Sequence, residues 1–366
     1  MAVAIALLCV FMLAYANGAN DNFKGVATLF GSGVSDYRKA LNWATGMTLL
    51  GSLVAVLAST QLLATFSGKQ FVSAQTLQMV GYPLAVCAAC AATVLLATRF
   101  GLPISTTHAL AGGLLGAAFA APDSVIDWAR AGRSIFLPLA VGPVLAVVAA
   151  VVLYPALRAL RTAMGVSSQT CVCVGDVWVP QVDGTATSQL RVSVADQAEC
   201  RQQYAGHVMG MPAQRLIDGL HYLSAGVVSF ARGLNDTPKI VAVTLLVAPF
   251  MPLNAAFPVI GVVIAAGGLL GARRVAATMS QKITAMNPGQ GLSANLVTSA
   301  LVLAASPLGL PLSTTHVSCG ALFGIGAVTG QARWRTISGI VMAWIITLPM
   351  AALLGMLFMR LSLNFS

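Results

Sequence analysis

Two carboxylates stand inside apolar sequence, each with a lysine three residues on. Asp21 lies in Gly18-Ala19-Asn20-Asp21-Asn22-Phe23-Lys24, and Asp236 in Gly233-Leu234-Asn235-Asp236-Thr237-Pro238-Lys239. The chain has only ten acidic residues, so two of them behind the same Gly-x-Asn step form a strong signal. A lone carboxylate at the centre of a membrane helix costs roughly 2.5–3.5 kcal/mol, and such residues line pathways or pair with cations. One reading is a cation or proton site built by Asp21 and Asp236 with Asn20 and Asn235. The other places both acids at the membrane surface, where Asn-Asp caps a short helix and the lysine pairs across one turn. The two are compatible, because a capped, broken helix is a way to build such a site.

A second pair of motifs supplies hydroxyls. GLPISTTH runs from Gly101 to His108 and GLPLSTTH from Gly309 to His316, with seven of eight letters shared. Pro103 and Pro311 disfavour helix in the residue before them and suit the start of a helix after them. A following Ser or Thr supplies the cap. The first helical turn then leaves N–H groups unpaired and carries partial positive charge. Ser105, Thr106 and Thr107, and equally Ser313, Thr314 and Thr315, add donors without fixed charge, which suits a tetrahedral oxyanion. Two copies facing each other would clamp one anion. Capping and helix–helix bonding alone are the competing reading, weakened by the duplication and by the matching Asn-Asp motifs. His108 and His316 are expected to pack against an adjacent helix rather than to bind. Gly112 and Gly116, with Gly320 and Gly324, form GxxxG faces for close helix contact.

The elements that position these residues belong to a membrane. The 366-residue chain is 57% hydrophobic and 8% charged, against about a quarter charged in soluble domains. Apolar windows fall at Ala2–Ala16, Leu41–Leu63, Met79–Thr98, Ile135–Leu157, Leu216–Ala231, Phe257–Gly271, Ala294–Ala305 and Ile337–Met359. A spanning helix needs roughly 20 such residues, and no barrel-type alternation is present. The fold class is therefore all-α, a polytopic membrane helical bundle. The first window mimics a signal peptide, but the first basic residue is Lys24 and the sequence after Ala16 recurs in the second half. The net charge of +10 comes from basic residues scattered at segment ends, a membrane-flank pattern, so no nucleic acid is expected.

Four landmarks recur in one order: the Asn-Asp motif, Ala64–Lys69 with Ala277–Lys282, the hydroxyl motif, and Trp128 and Pro143 with Trp334 and Pro349. They define a first repeat at residues 1–157, a polar central segment at 158–213 and a second repeat at 214–366. Arg158, Arg161 and Arg215 flank the central segment, which places it in the cytoplasm and the N-terminus outside. The second repeat then runs inverted relative to the first, with broken or re-entrant helices near the midplane. Pro238, Pro249 and Pro252 are expected to interrupt the helix after Asp236. Ser105–Ala121 makes about 25 Å of helix, marginal for crossing.

These doubled motifs resemble the PiT family of inorganic phosphate transporters, which includes bacterial sulfate permeases. The resemblance covers both repeats. It implies a cation-coupled symporter of phosphate, or in some branches sulfate, in the cell inner (plasma) membrane. It also implies that Asn20, Asp21, Asn235 and Asp236, with the six hydroxyls, bind the anion and its coupling ion. The family pattern GANDVANA has a second Asn where this chain has Lys24 and Lys239. An ammonium in place of a metal cation, or paired with Asp21 and Asp236, would weaken sodium coupling or replace it with protons. Snorkelling of both lysines to the interface is the alternative.

Of seven cysteines, Cys9, Cys87, Cys90 and Cys319 fall in apolar segments. Cys171, Cys173 and Cys200 fall in the central segment near His207, as weak zinc candidates whose spacing matches no standard finger. Val172–Val179 and Gln189–Val194 read as short strands. No cofactor is expected beyond Na+ or H+ as coupling ion. Inorganic phosphate or sulfate and the lipid bilayer are the expected partners, with a homodimer left open. An intramembrane enzyme using Ser-Thr-Thr-His is the rival of another class, disfavoured by the equal duplication. The absence of a GxxxxGK[ST] loop argues against ATP as the driving force.

Overall fold

The computed structural model describes residues 2–58, 60–169, 173–180, 186–193, 203–248 and 251–364. Helix α1 (Ala2–Asp21) passes through a 3-10 turn (Asn22–Gly25) into α2 (Ala27–Gly31). Then come α3 (Tyr37–Ala58), α4 (Thr60–Phe66), α5 (Ala74–Gln78), α6 (Gly81–Arg99) and α7 (Thr106–Ala120). α8 (Trp128–Ala131) continues through one π turn into α9 (Leu137–Ala163), past the expected boundary at residue 157. The second half holds α10 (Ala213–Val247), α11 (Leu253–Gly271), α12 (Arg273–Ala277), α13 (Pro288–Ala305), α14 (Thr314–Thr329) and α15 (Trp334–Leu363). Among the described residues, six helical stretches are long and apolar enough to cross a membrane: α1 with its turn, α3, α6, α8 with α9, α11 and α15.

The central segment carries β1 (Ser167–Gln169), β2 (Cys173–Pro180), β3 (Ala186–Ser193), β4 (Gln203–Ala205), β5 (His207–Val208) and β6 (Met211–Pro212). β2 and β3 form an antiparallel hairpin, Cys173 opposite Ser193, close to the two strands expected there. Cys171 and Cys200 lie outside the described residues, as does the side chain of Cys173. Among the described residues no cluster of His, Cys, Asp or Glu has metal-site geometry, and Cys9, Cys87, Cys90 and Cys319 are free thiols.

The letters of the hydroxyl motifs explain their geometry. Gly101 and Gly309 sit in the left-handed region, at φ +68° and +67°. Each closes the preceding helix: Leu102 N–H reaches Ala97 O and Gly101 N–H reaches Thr98 O, as Leu310 does Ala305 and Gly309 does Ser306. This is the left-handed glycine stop that satisfies the last carbonyls of a helix. Pro103 and Pro311 then prevent continuation, and the next helix opens at the serine. α7 and α14 are only 15 and 16 residues, about 23 Å, short of a hydrocarbon core of roughly 30 Å. Irregular backbone thus enters the buried interior, which is tolerated only where protein surrounds it or it lines a cavity.

The proline expectation is corrected at one position. α10 runs without interruption through Pro238. A proline removes one N–H, and in a buried, well-packed helix the neighbours accommodate that single loss. Pro249 lies outside the described residues, and Pro252 stands at the start of α11. The first half is truly broken at the equivalent place, between α1 and α2.

Glycines set the closest helix pairs, including both expected GxxxG faces. A Cβ on Gly112 or Gly116 of α7 would meet Leu348 O or Ala352 O of α15. Gly320 and Gly324 of α14 likewise abut Pro143 O and Val147 O of α9. The repeat pairing Pro143–Pro349 therefore reappears as two like crossings. Isolated β-bridges at Val72–Ile126 and Thr284–Ala332 are a further matched pair.

Candidate functional site

Each hydroxyl motif starts its helix as read. Ser105 Oγ accepts from His108 N–H at 3.1 Å, and Ser313 Oγ from His316 N–H at 3.2 Å. Each is thus an N-cap, and replacing either with alanine is expected to cost about 1 kcal/mol of stability. Thermal unfolding in detergent measures this; an unchanged Tm in S105A would remove the capping role.

The structure brings all twelve expected site residues into the interior, none more than 6% exposed. In the first cluster Asp21 Oδ2 accepts from Asn17 Nδ2 and Thr106 Oγ1, both at 2.9 Å. Its Oδ1 pairs with the Lys24 ammonium. That ammonium also donates to Asn20 Oδ1 (2.8 Å), Ile104 O (2.8 Å) and Thr315 Oγ1 (2.7 Å). In the second cluster Asp236 Oδ1 accepts from Lys239 Nζ and Asn235 Nδ2, each at 3.2 Å, while Thr314 Oγ1 donates to Oδ2 at 3.4 Å. Lys239 also donates to Leu312 O (3.1 Å) and Thr107 Oγ1 (2.8 Å).

The two clusters follow one rule. Each acid binds the first threonine of the motif in its own half, Asp21 with Thr106 and Asp236 with Thr314. Each lysine binds the second threonine of the motif in the opposite half, Lys24 with Thr315 and Lys239 with Thr107. Neither lysine snorkels; both are buried between carboxylate, carbonyl and hydroxyl oxygens. Two opposite charges together in a poorly hydrated interior hold each other strongly, because little solvent screens them. The asparagines tie helix to motif: Asn20 Nδ2 donates to Thr98 Oγ1 and Leu102 O, and Asn235 Nδ2 to Leu312 O.

The histidines meet each other. Their ring centroids lie 4.3 Å apart, and the His316 ring also lies against Trp344 of α15, tilted by 57° with centroids 3.9 Å apart. His316 Nδ1 is 2.6 Å from Ser313 Oγ. Trp344 Nε1 donates to Pro103 O at 2.9 Å, so α15 holds both motifs at once.

Sequence reasoning missed Arg232 and Asn17. Arg232 is 1% exposed. Its guanidinium reaches Asn17 Oδ1 (3.4 Å), Asn22 Oδ1 (3.1 Å) and Thr48 Oγ1 (3.3 Å), and stands 3.9 Å from Asp236 Oδ2. A signal was present: Asn17 and Arg232 occupy equivalent repeat positions, one turn before the acids.

A cavity of about 1160 Å³ opens beside the central segment, lined in part by Arg158, Arg161, Tyr204, Asn287, Ser293 and Arg333. Tyr204 donates to Asn287 Oδ1 at 2.7 Å, and burial pushes its phenol above the ordinary range.

Comparison with known proteins gives a consistent result. Residues 17–355 match the Phosphate transporter family. The chain is 28% identical to a "Putative phosphate permease" of Chlamydia muridarum, over 97% of this chain and 98% of the relative. It is also 28% identical to a "Probable low-affinity inorganic phosphate transporter" of Rhizobium meliloti, over 97% of this chain and 93% of that one. Among solved structures, "The sodium-dependent phosphate transporter" shares its fold, with TM-score 0.75 at 21% identity and full coverage of both chains.

Proposed function

The chain belongs to the phosphate transporter family, and from that premise we propose that it is a secondary carrier of inorganic phosphate across the plasma membrane. One observation carries the reading: two hydroxyl-headed helix starts converge on two buried acid–lysine pairs, each lysine reaching the opposite motif. Donors at helix N-termini suit an oxyanion, and the crossed contacts are what a two-fold arrangement of inverted repeats would produce. Arg158, Arg161 and Arg215 at the inner ends of α9 and α10 support a cytoplasmic central segment and an external N-terminus.

Coupling follows from the lysines. The Lys24 ammonium sits among Asn20 Oδ1, Asp21 Oδ1, Ile104 O and Thr315 Oγ1. Hard oxygens of this kind are what a small cation requires. The reading is that the lysines act as built-in cations, so that protons rather than sodium couple uptake. Sulfate is the second reading. Ammonium groups engaged in the site suit a fully deprotonated dianion, whereas carboxylates suit phosphate, which can donate a proton to them.

Uptake of labelled phosphate into proteoliposomes tests this, with sulfate as competitor and choline replacing sodium at two external pH values. Uptake is expected to persist in choline and to rise as external pH falls. Strict sodium dependence without a pH response overturns the built-in cations. Absence of uptake and of counterflow for either anion overturns the carrier reading.

A further inference from the structure

We propose that Arg232 is a substrate-binding residue, whose guanidinium supplies the one positive charge by which the buried centre exceeds neutrality. This deepens the phosphate reading and rests on it. Among the described residues the buried charged side chains are Asp21, Asp236, Lys24, Lys239 and Arg232. Each lysine has a carboxylate within its own cluster. Arg232 has none to itself: its nearest is Asp236 at 3.9 Å, already held by Lys239 at 3.2 Å. Its remaining partners are neutral amide and hydroxyl oxygens. Its Nε is buried without any partner.

Such an arrangement is costly. Removing a charge from water without a matched counter-charge carries a penalty that hydrogen bonds to neutral groups only partly offset. An uncompensated cation inside a membrane protein therefore marks function. Its location says which function. Arg232 touches Asn17, which donates to Asp21 and Thr106, and stands beside Asp236, to which Thr314 donates. The guanidinium is thus one side chain removed from the hydroxyl motif of each half. Guanidinium groups present parallel donors that match an oxyanion and are never deprotonated under ordinary conditions. A monovalent oxyanion brings this centre to neutrality, and a divalent one does so together with a single proton. The 3.4 Å contact to Asn17 is the weak one an arriving anion would replace.

The alternative is a strut, because Arg232 of α10 also reaches Asn22 and Thr48. Uptake of labelled inorganic phosphate by wild type, R232K and R232Q separates the two, with unfolding in detergent recorded with and without phosphate. Charge-assisted hydrogen bonds predict a KM raised about 10- to 100-fold in R232Q, with the phosphate-induced rise in Tm lost. R232K keeps the charge but not the fork and is expected to fall between. An unchanged KM and an unchanged phosphate shift in a folded variant overturn the proposal, as does a fall in maximal rate alone, the signature of a strut. Should R232Q fail to fold, R232K decides by the same readouts. A wild-type protein that neither transports phosphate nor is stabilised by it overturns the parent reading; an active wild type with indifferent variants overturns this one only.

Discussion

If the lysines are built-in cations, as proposed, Lys24→Ala is expected to make uptake depend on sodium, and to destabilise the carrier severely when sodium is withheld. Lys24 is 4% exposed and its ammonium meets four oxygens, those of Asn20, Asp21, Ile104 and Thr315. Truncation leaves the Asp21 carboxylate buried with its cation gone. Breaking a buried pair in this way costs about 3–5 kcal/mol, because the carboxylate loses its direct partner. The position vacated by the ammonium is lined by the same four oxygens. Sodium added from outside is therefore expected to restore much of both Tm and uptake, whereas choline restores neither. D21N/K24A removes both charges and is expected to be less destabilised than K24A, a non-additivity typical of contacting residues. Uptake by K24A that equals wild type in choline, or a Tm loss that sodium leaves untouched, would sink the idea of a built-in cation.

Lys24 also shows where sequence reading stops. Its burial among acids was one of two open readings, because spacing alone does not say whether a lysine three residues beyond an aspartate turns inward or reaches the interface. That choice depends on Ile104 and Thr315, which lie 80 and 291 residues away. The hydroxyl motifs were more legible, since their geometry is local: glycine in the left-handed region ends one helix, proline blocks continuation and serine caps the next. The two GxxxG faces were legible as well, and each meets the backbone of a neighbouring helix, α7 on α15 and α14 on α9. Pro238 misled because proline costs a helix one hydrogen bond, not its existence, where packing supports both sides. Arg232 was overlooked among basic residues assigned to membrane flanks, although its window from Leu216 to Ala231 ends one residue before it. The contact of His108 with His316 was illegible, because only the convergence of α7 and α14 brings the rings together.

The second large effect lies away from the charges, at Gly116. A Cβ there would fall 2.0 Å from Ala352 O and 2.6 Å from Ala352 Cα, and one on Gly112 would fall 2.4 Å from Leu348 O. These are backbone atoms of α15, so no side chain can turn aside; the helices must separate. Such small-residue contacts are what holds membrane helices together where lipid supplies no hydrophobic drive. Separation of α7 from α15 would pull Trp344 from Pro103 O and from the His316 ring, and so loosen both hydroxyl motifs together. Gly116→Val is therefore expected to abolish the folded carrier, seen as aggregation in detergent extraction and no uptake, with Gly116→Ala intermediate. Gly339 on the same α15 is the control, since nothing lies within 4 Å of an added Cβ there. Gly339→Ala is expected to be neutral or to stabilise by about 0.5–1 kcal/mol through helix propensity. Equal tolerance at the two positions would mean that α7 is not held by this contact, and that its short helix owes its position to the motif alone.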